Sequence, residues 1–219
     1  MPAGSASRTA LVAGATGLVG REILQGLLAD EGVAAVHVLA RRTPPVQHPK
    51  LAAHVVDFAA LPALPPCDEA YLALGTTIKV AGSQRAFRAV DFDANLAVAR
   101  AAQAAGARRL GVVSAMGADA RSPVFYNRVK GELEQALDIS GYEGLVIARP
   151  SLLLGDRAQL GQPQRRGEKI AESLARWIAP LIPANYRPIR AEAVAHALLE
   201  TVPKAQGKLV LLSGDMQGC

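Results

Sequence analysis

Aromatic residues are scarce in this chain, at 4%, and there are two cysteines, Cys67 and Cys219. With few rings available, alanine, leucine and valine must fill the core. Two distant cysteines exclude a disulfide framework and a cysteine metal cluster. The histidines, His37, His48, His54 and His196, are scattered without metal-ligand spacing. No apolar run approaches the roughly 18 residues that cross a bilayer. There is no solenoid repeat and no low-complexity linker. Residues Met1 to Ser7 are small and polar and hold no apolar signal core, so a soluble cytoplasmic protein is expected.

Charge excludes further classes. Lysine and arginine outnumber aspartate and glutamate by 24 to 19, for a net charge of +5 and a pI near 9.5. Yet the densest basic groups are pairs: Arg41-Arg42, Arg108-Arg109 and Arg165-Arg166. No lysine-rich tail or aromatic-interleaved basic stripe is present, so no nucleic-acid or membrane partner is expected. Half of the residues are hydrophobic and 20% are charged, enough for a sizeable core. At 219 residues one domain is expected. Within it, residues 151–207 would contribute a small substrate-side region.

The chain alternates strand and helix patterns, which predicts a doubly wound parallel sheet of the Rossmann type. Strands are predicted at Thr9–Ala13, Val36–Ala40, His54–Val56, Glu69–Leu74, Leu110–Ser114, Leu145–Ala148 and Lys208–Leu212. Helices are predicted from Leu18 to about Asp30, and over Ala86–Ala105, Val124–Ile139, Ile170–Ala179 and Arg190–Val202. Gly155 to Gly167 reads as an irregular loop.

The first strand runs into Gly14-Ala15-Thr16-Gly17-Leu18-Val19-Gly20. Its glycines have separate tasks. Gly14 permits the sharp turn, Gly17 lets a pyrophosphate approach the backbone, and Gly20 lets the helix pack close to the sheet. Thr16, Leu18 and Val19 lie in the same turn, where free N–H groups and the helix dipole attract phosphate. Arg41 and Arg42 follow the second strand, where a carboxylate would select a ribose 2′-hydroxyl. Arginines there suit a 2′-phosphate, so NADP is expected over NAD, with NAD still compatible. Asp57 and Phe58 follow the third strand and face the adenine end. Leu74, Gly75, Thr76 and Thr77 follow the fourth. Gly75 lets the backbone pass close to the cofactor, and the threonine hydroxyls suit phosphate or ribose. A plain polar turn explains the two threonines equally well.

Ser114 ends the fifth strand. Tyr126 and Lys130 lie four apart on the next helix, hence on one face. A tyrosine ordinarily titrates near about pH 10, and an adjacent ammonium favours its phenolate. The three residues suit proton exchange with a carbonyl or alcohol oxygen: Tyr126 transfers the proton, Ser114 donates to and orients the oxygen, and Lys130 tunes the phenol and holds ribose.

With these motifs the chain resembles an atypical, extended-like short-chain dehydrogenase/reductase. It is more closely similar to the small Tat-interacting-protein/oxidoreductase-like family. The resemblance rests on the glycine turn, Leu74-Gly75-Thr76-Thr77, Val113-Ser114-Ala115-Met116-Gly117-Ala118-Asp119, Tyr126-Asn127-Arg128-Val129-Lys130-Gly131-Glu132 and Arg149-Pro150-Ser151-Leu152-Leu153-Leu154-Gly155. It implies a Rossmann-type fold, NADP(H) binding, Ser-Tyr-Lys chemistry on a small-molecule substrate, and a nicotinamide pocket lined near Arg149 to Leu153, including Pro150, Ser151 and Leu152. Such reductases often place an asparagine before the fifth strand for a proton relay. Here Asp91 and Asn95 compete for that place. The extended members carry a larger carboxyl-terminal region than follows Pro150, so a small or open pocket is expected. A cofactor-sensing module with little turnover is the alternative function. The helices flanking the fifth strand offer a face for a homodimer.

The remaining residues read as structural. His37 lies within a strand pattern, and Cys67 has no cationic sequence neighbour. Asp156-Arg157 suits a surface ion pair. Trp177, with Ile178, Leu181 and Ile182, suits core packing. Tyr186, Arg187 and Pro188 are candidates for the border of a substrate cleft.

Overall fold

The computed structural model describes residues 7–154 and 183–217. Seven strands form one parallel sheet in the order β3-β2-β1-β4-β5-β6-β9. They are β1 (Arg8–Ala13), β2 (Val33–Ala40), β3 (Leu51–Val55), β4 (Glu69–Leu72), β5 (Arg109–Val113), β6 (Gly144–Arg149) and β9 (Gly207–Leu212). The order reverses between β1 and β4, which opens a crevice at the carboxyl ends of the strands. The register keeps those ends level: Ala13 pairs with Leu39 and Leu72, Leu72 with Val112, and Val113 with Ala148.

Both faces of the sheet are covered, which is why the central strands carry apolar residues without alternation. Helix α1 (Leu18–Ala29) and the helix Ala191–Thr201 cover one face through Ile23, Leu27, Val194 and Leu198. Gly26 lies at their crossing, where a Cβ would be driven into Leu199. Helices α4 (Asn95–Ala104) and α5 (Phe125–Asp138) cover the other face through Val98, Ala102, Leu133 and Leu137. Each such aliphatic side chain, fully buried, contributes about 1.5–3 kcal/mol.

The structure departs from the sequence expectations in several places. The helix expected over Ala86–Ala105 starts two residues earlier and runs without interruption through α3 (Gln84–Arg88), a π-helical turn (Ala89–Ala94) and α4. A short α2 (Ile78–Ala81) precedes it, capped by Thr77. The third strand begins at Leu51, because small alanines hide its pattern. The fourth ends at Leu72, which leaves Ala73 and Leu74 in the following loop. A parallel two-residue pairing, β7 (Leu153–Leu154) with β8 (Ile189–Arg190), was not expected. The helix expected at Ile170–Ala179, the loop Gly155–Gly167, Asp156, Arg157, Trp177, Ile178, Leu181, Ile182 and Cys219 lie outside the described residues.

Candidate active site

Gly14 ends β1 with φ +92°, a conformation that disfavours a side chain. A Cβ there would also strike the Ala73 backbone, so the β1 turn lies directly against the β4 loop. A Cβ on Gly20 would be driven into the Gly14 carbonyl. Gly17 is different: its Cβ would meet Gly14 O at 3.3 Å and Ala73 O at 3.8 Å. Packing tolerates more than glycine at this position, so its bare backbone is better suited to a ligand's close approach. Gly17 caps α1 without a side-chain hydrogen bond, and the first turn of the helix has no acidic residue. Its N–H groups are open to an anion. Thr16 is exposed beside them. Leu18 and Val19 turn into the core, so they offer only backbone N–H groups.

Along the same edge, Arg41 and Arg42 emerge from β2 exposed, with no partner among the described residues. Asp57 accepts the Ala59 N–H at 2.9 Å, and Phe58 packs partly into the core. The threonines act differently from the phosphate-binding expectation. The Thr77 hydroxyl accepts the Val80 N–H at 3.1 Å as a helix cap. The Thr76 N–H binds Asp91 Oδ2 at 2.9 Å. Both belong to a structured polar turn. Gly75 is exposed, and a Cβ on it would stand 3.6 Å from Asp91 Oδ1.

The π-helical turn carries Asp91 inward, and Asn95, the first residue of α4, lies beside it. Each is about 1% exposed. Asn95 Nδ2 donates to the carbonyls of Leu74, Val90 and Asp91 at 3.1–3.2 Å. Three acceptors around one nitrogen settle the amide's orientation and leave it no role as a relay donor. The Asn95 Oδ1 is buried without a partner among the described residues. Asp91 Oδ1 lies 2.8 Å from Lys130 Nζ, an ion pair without hydrogen-bond alignment. Of the two candidates, Asp91 is therefore the one that meets the lysine.

Tyr126, Lys130 and Glu134 lie on successive turns of α5. Gly131 lets this helix approach the loop after β5, because a Cβ there would be driven into the Asp119–Ala120 backbone. The Tyr126 ring lies 5.5 Å from that of Phe87, and its hydroxyl has no hydrogen-bond partner among the described residues. Ser114 meets α5 one turn beyond Lys130, where its hydroxyl donates to Glu134 Oε1. Glu134 also receives Arg149 Nη2 at 2.5 Å and Nε at 3.1 Å. The Glu134 hydrogen bonds, with its charge, raise the Arg149 guanidinium above its ordinary value despite burial. Gripped by the Arg149 guanidinium, the Glu134 carboxylate acts as the acceptor. The single Ser114 hydrogen is committed, which corrects the expectation that it stands ready for a carbonyl oxygen. Nothing local in the sequence marks Glu134, which reads as an ordinary helical glutamate.

Beyond β6, Pro150 O accepts the Met116 N–H at 2.9 Å. Ser151 is tied at both ends: its N–H reaches Ser213 Oγ at 2.7 Å and its hydroxyl bonds Arg187 O. Its hydroxyl is therefore not free for the cofactor. Leu152 is more than half exposed, as is Tyr186. Away from the edge, His37 Nδ1 lies 3.0 Å from His54 Nε2, so each histidine satisfies the other. Burial, then the Asp68 charge, push the Cys67 thiol up to about 11, as suits an inert thiol. Among the described residues no group of three His, Cys, Asp or Glu could hold a metal, and no helix is long and apolar enough to cross a membrane.

An anion-ready helix end at the switch of strand order, ringed by a polar arc from β1 to β6, fits a dinucleotide. Residues 14–173 match the family model described as NAD(P)H-binding. The chain belongs to this NAD(P)H-binding family. It is 35% identical over 176 residues to the mitochondrial protein fmp52 of Emericella nidulans, covering 76% of this chain and 72% of the relative. It is 29% identical over 218 residues to mitochondrial FMP52 of Candida albicans, covering 93% and 94%. In structure it is similar to a short-chain dehydrogenase/reductase family oxidoreductase from Burkholderia thailandensis, with a TM-score of 0.68 at 22% identity, covering 97% and 94%. The chain is thus an NAD(P)H-binding protein whose fold is similar to that of a short-chain dehydrogenase/reductase. The cytoplasmic expectation is overturned, since both relatives are named as mitochondrial. Composition and a polar opening segment do not report compartment.

Proposed function

We propose that the chain is an NADP(H)-dependent oxidoreductase acting on a small carbonyl or alcohol. The carrying observation is the Tyr126 hydroxyl, unpartnered among the described residues and one helical turn from the buried Lys130 ammonium. Bound nicotinamide would supply hydride to, or accept it from, the substrate carbon. Tyr126 would give its hydroxyl proton to the carbonyl oxygen as hydride reaches the carbon, and take it back in the reverse direction. Lys130 would stabilise the phenolate and hold ribose hydroxyls. Ser114, with its hydrogen on Glu134, would receive a substrate hydroxyl through its lone pairs. The backbone N–H groups of Leu18 and Val19, beside the turn that Gly14 and Gly17 keep clear, would bind pyrophosphate, while Arg41 and Arg42 would take a 2′-phosphate. Gly75, Pro150 and Leu152 would border the nicotinamide end.

The test follows NADPH absorbance over a carbonyl panel, with NADPH affinity measured alongside. Tyr126→Phe is expected to bind NADPH within about twofold of wild type and to lose at least about a hundredfold in turnover. A mutant that turns over like wild type refutes the assignment.

The Ser114–Glu134 bond favours a second reading, in which the domain senses NADP(H) occupancy with little turnover. Tight NADPH binding, no activity on the panel and a partner set that changes with NADPH would select it. Turnover abolished by Tyr126→Phe would eliminate it.

A further inference from the structure

Asp91 touches three elements. It sits in the π-helical turn, takes the Thr76 N–H of the β4 loop on Oδ2, and faces the Lys130 ammonium of α5 on Oδ1. Both partners of the ion pair are within 5% of full burial. A charge held so far from water needs a compensating charge nearby. No other carboxylate contacts Lys130 among the described residues. Glu134, one turn along α5, is engaged by Arg149 and Ser114. Tyr126, one turn back, carries no charge while its hydroxyl is intact.

The π-helical turn is what makes this contact. A π turn holds one more residue than an α-helical turn and so shifts the faces that follow it. Here Asp91 and Asn95 both meet the β4 loop, through Thr76 N–H and Leu74 O. Asn95 adds bonds to the Val90 and Asp91 carbonyls and locks the turn that aims Asp91.

We propose that Asp91 is the positioning residue of Lys130: its carboxylate, held by Thr76 N–H and the Asn95-locked turn, compensates the buried ammonium and ties α5 to the β4 loop. The proposal rests on the reductase reading above and deepens it. The loop beside the glycine turn and the lysine behind the tyrosine then move as one unit. Asp91→Asn keeps an acceptor for Thr76 but removes the charge. The uncompensated lysine then gives up its proton more readily, or pulls harder on the phenol. Either change removes the state competent for carbonyl reduction at lower pH. The charged and titratable neighbours on this path are Tyr126 and Glu134 on α5 and Arg149 on β6.

The experiment uses the full chain. Acetic anhydride labelling at pH 8, mapped by mass spectrometry, compares Lys130 with Lys50, Lys79, Lys204 and Lys208. In Asp91→Asn, Lys130 is expected to label about tenfold faster, with the reference lysines within about twofold. An unchanged Lys130 rate overturns the tether. A urea-unfolding cycle with Lys130→Met covers the case of a poorly folding variant. The double variant is expected to be no less stable than the worse single one. Additive losses, or a double variant that fails to fold where a single one folds, overturn the charge compensation. In the carbonyl assay the alkaline limb of kcat/KM is expected to move down by about half a pH unit or more in Asp91→Asn. A lower plateau with an unmoved limb overturns the role in tuning Tyr126. A wild type without turnover counts against the reductase reading, while labelling and the cycle still judge the tether.

Discussion

Ser114 donates its hydroxyl hydrogen to Glu134, and Glu134 is gripped through both oxygens by Arg149. The three side chains couple β5, α5 and β6 at the rim of the cleft. Breaking a buried ion pair costs about 3–5 kcal/mol. The Arg149 side chain is 30% exposed, so a smaller loss is expected here. Glu134→Gln should destabilise the fold by about 2 kcal/mol in urea unfolding. Adding Ser114→Ala to that variant should cost less than it does in wild type, since the partner has already changed. Equal losses in both backgrounds would show that Ser114 and Glu134 act independently.

Gly17 and Gly20 should fail in different ways. Gly20→Ala forces a methyl group into the Gly14 carbonyl, so the folded yield should collapse. Gly17→Ala meets Gly14 O at 3.3 Å and should fold, with a melting temperature close to wild type. Its NADPH affinity should nonetheless drop by about tenfold or more, because the methyl group occupies the anion's approach. Unchanged affinity in that variant would remove the glycine turn from the binding site.

Arg41 and Arg42 are exposed and unpaired among the described residues, so their replacement should leave stability nearly unchanged. Charged hydrogen bonds contribute about 1.5–3 kcal/mol each, so Arg41→Ala/Arg42→Ala should weaken NADPH at least about tenfold. NADH affinity should hold within about twofold. Raising the salt concentration should weaken NADPH more than NADH in wild type. A parallel loss for both nucleotides would mean that the arginines do not read the 2′-phosphate.

His37 should make the fold sensitive to acid. Burial, then the His54 charge, lower its folded value below 6.5. The unfolded chain therefore binds the proton more readily, and this share of stability, present above about pH 6.5, is lost as pH falls below it. Urea unfolding at pH 7, 6 and 5 should show a smaller decline for His37→Gln than for wild type.

Glu69 carries the opposite sign. Burial raises its carboxyl above 4.5, although Arg8 and Tyr71 donate to it. Its contribution is fully present below about pH 4.5 and is lost as pH rises through the folded value. The stability of Glu69→Gln relative to wild type should therefore increase between pH 4 and pH 7. A constant difference across that range would place no net proton uptake at Glu69.

Much of this was legible in the sequence because the signals are local. The glycine turn is set by backbone clearance, and alternating buried strands and helices announce a parallel sheet. Tyr126 and Lys130 share a face because four residues span just over one α-helical turn. The rest depends on contacts between distant segments. Glu134 acquires meaning only when β5 and β6 bring Ser114 and Arg149 to it. The Asp91 contact follows a change of helical pitch that leaves no residue signature in Ala89–Ala94. Thr77 was readable as part of a polar turn as well as a ligand residue, and its bond to the Val80 N–H decided for the turn.

The Ser151 N–H rests on Ser213, and β6 is flanked by β9 along its whole length. One wall of the crevice is therefore built by residues translated more than fifty positions later. A ribosome-bound chain that has displayed only the glycine turn and α5 has the means to attract a nucleotide but lacks the brace that steadies its far end. Coenzyme binding that draws on this brace is therefore expected only once β9 has docked.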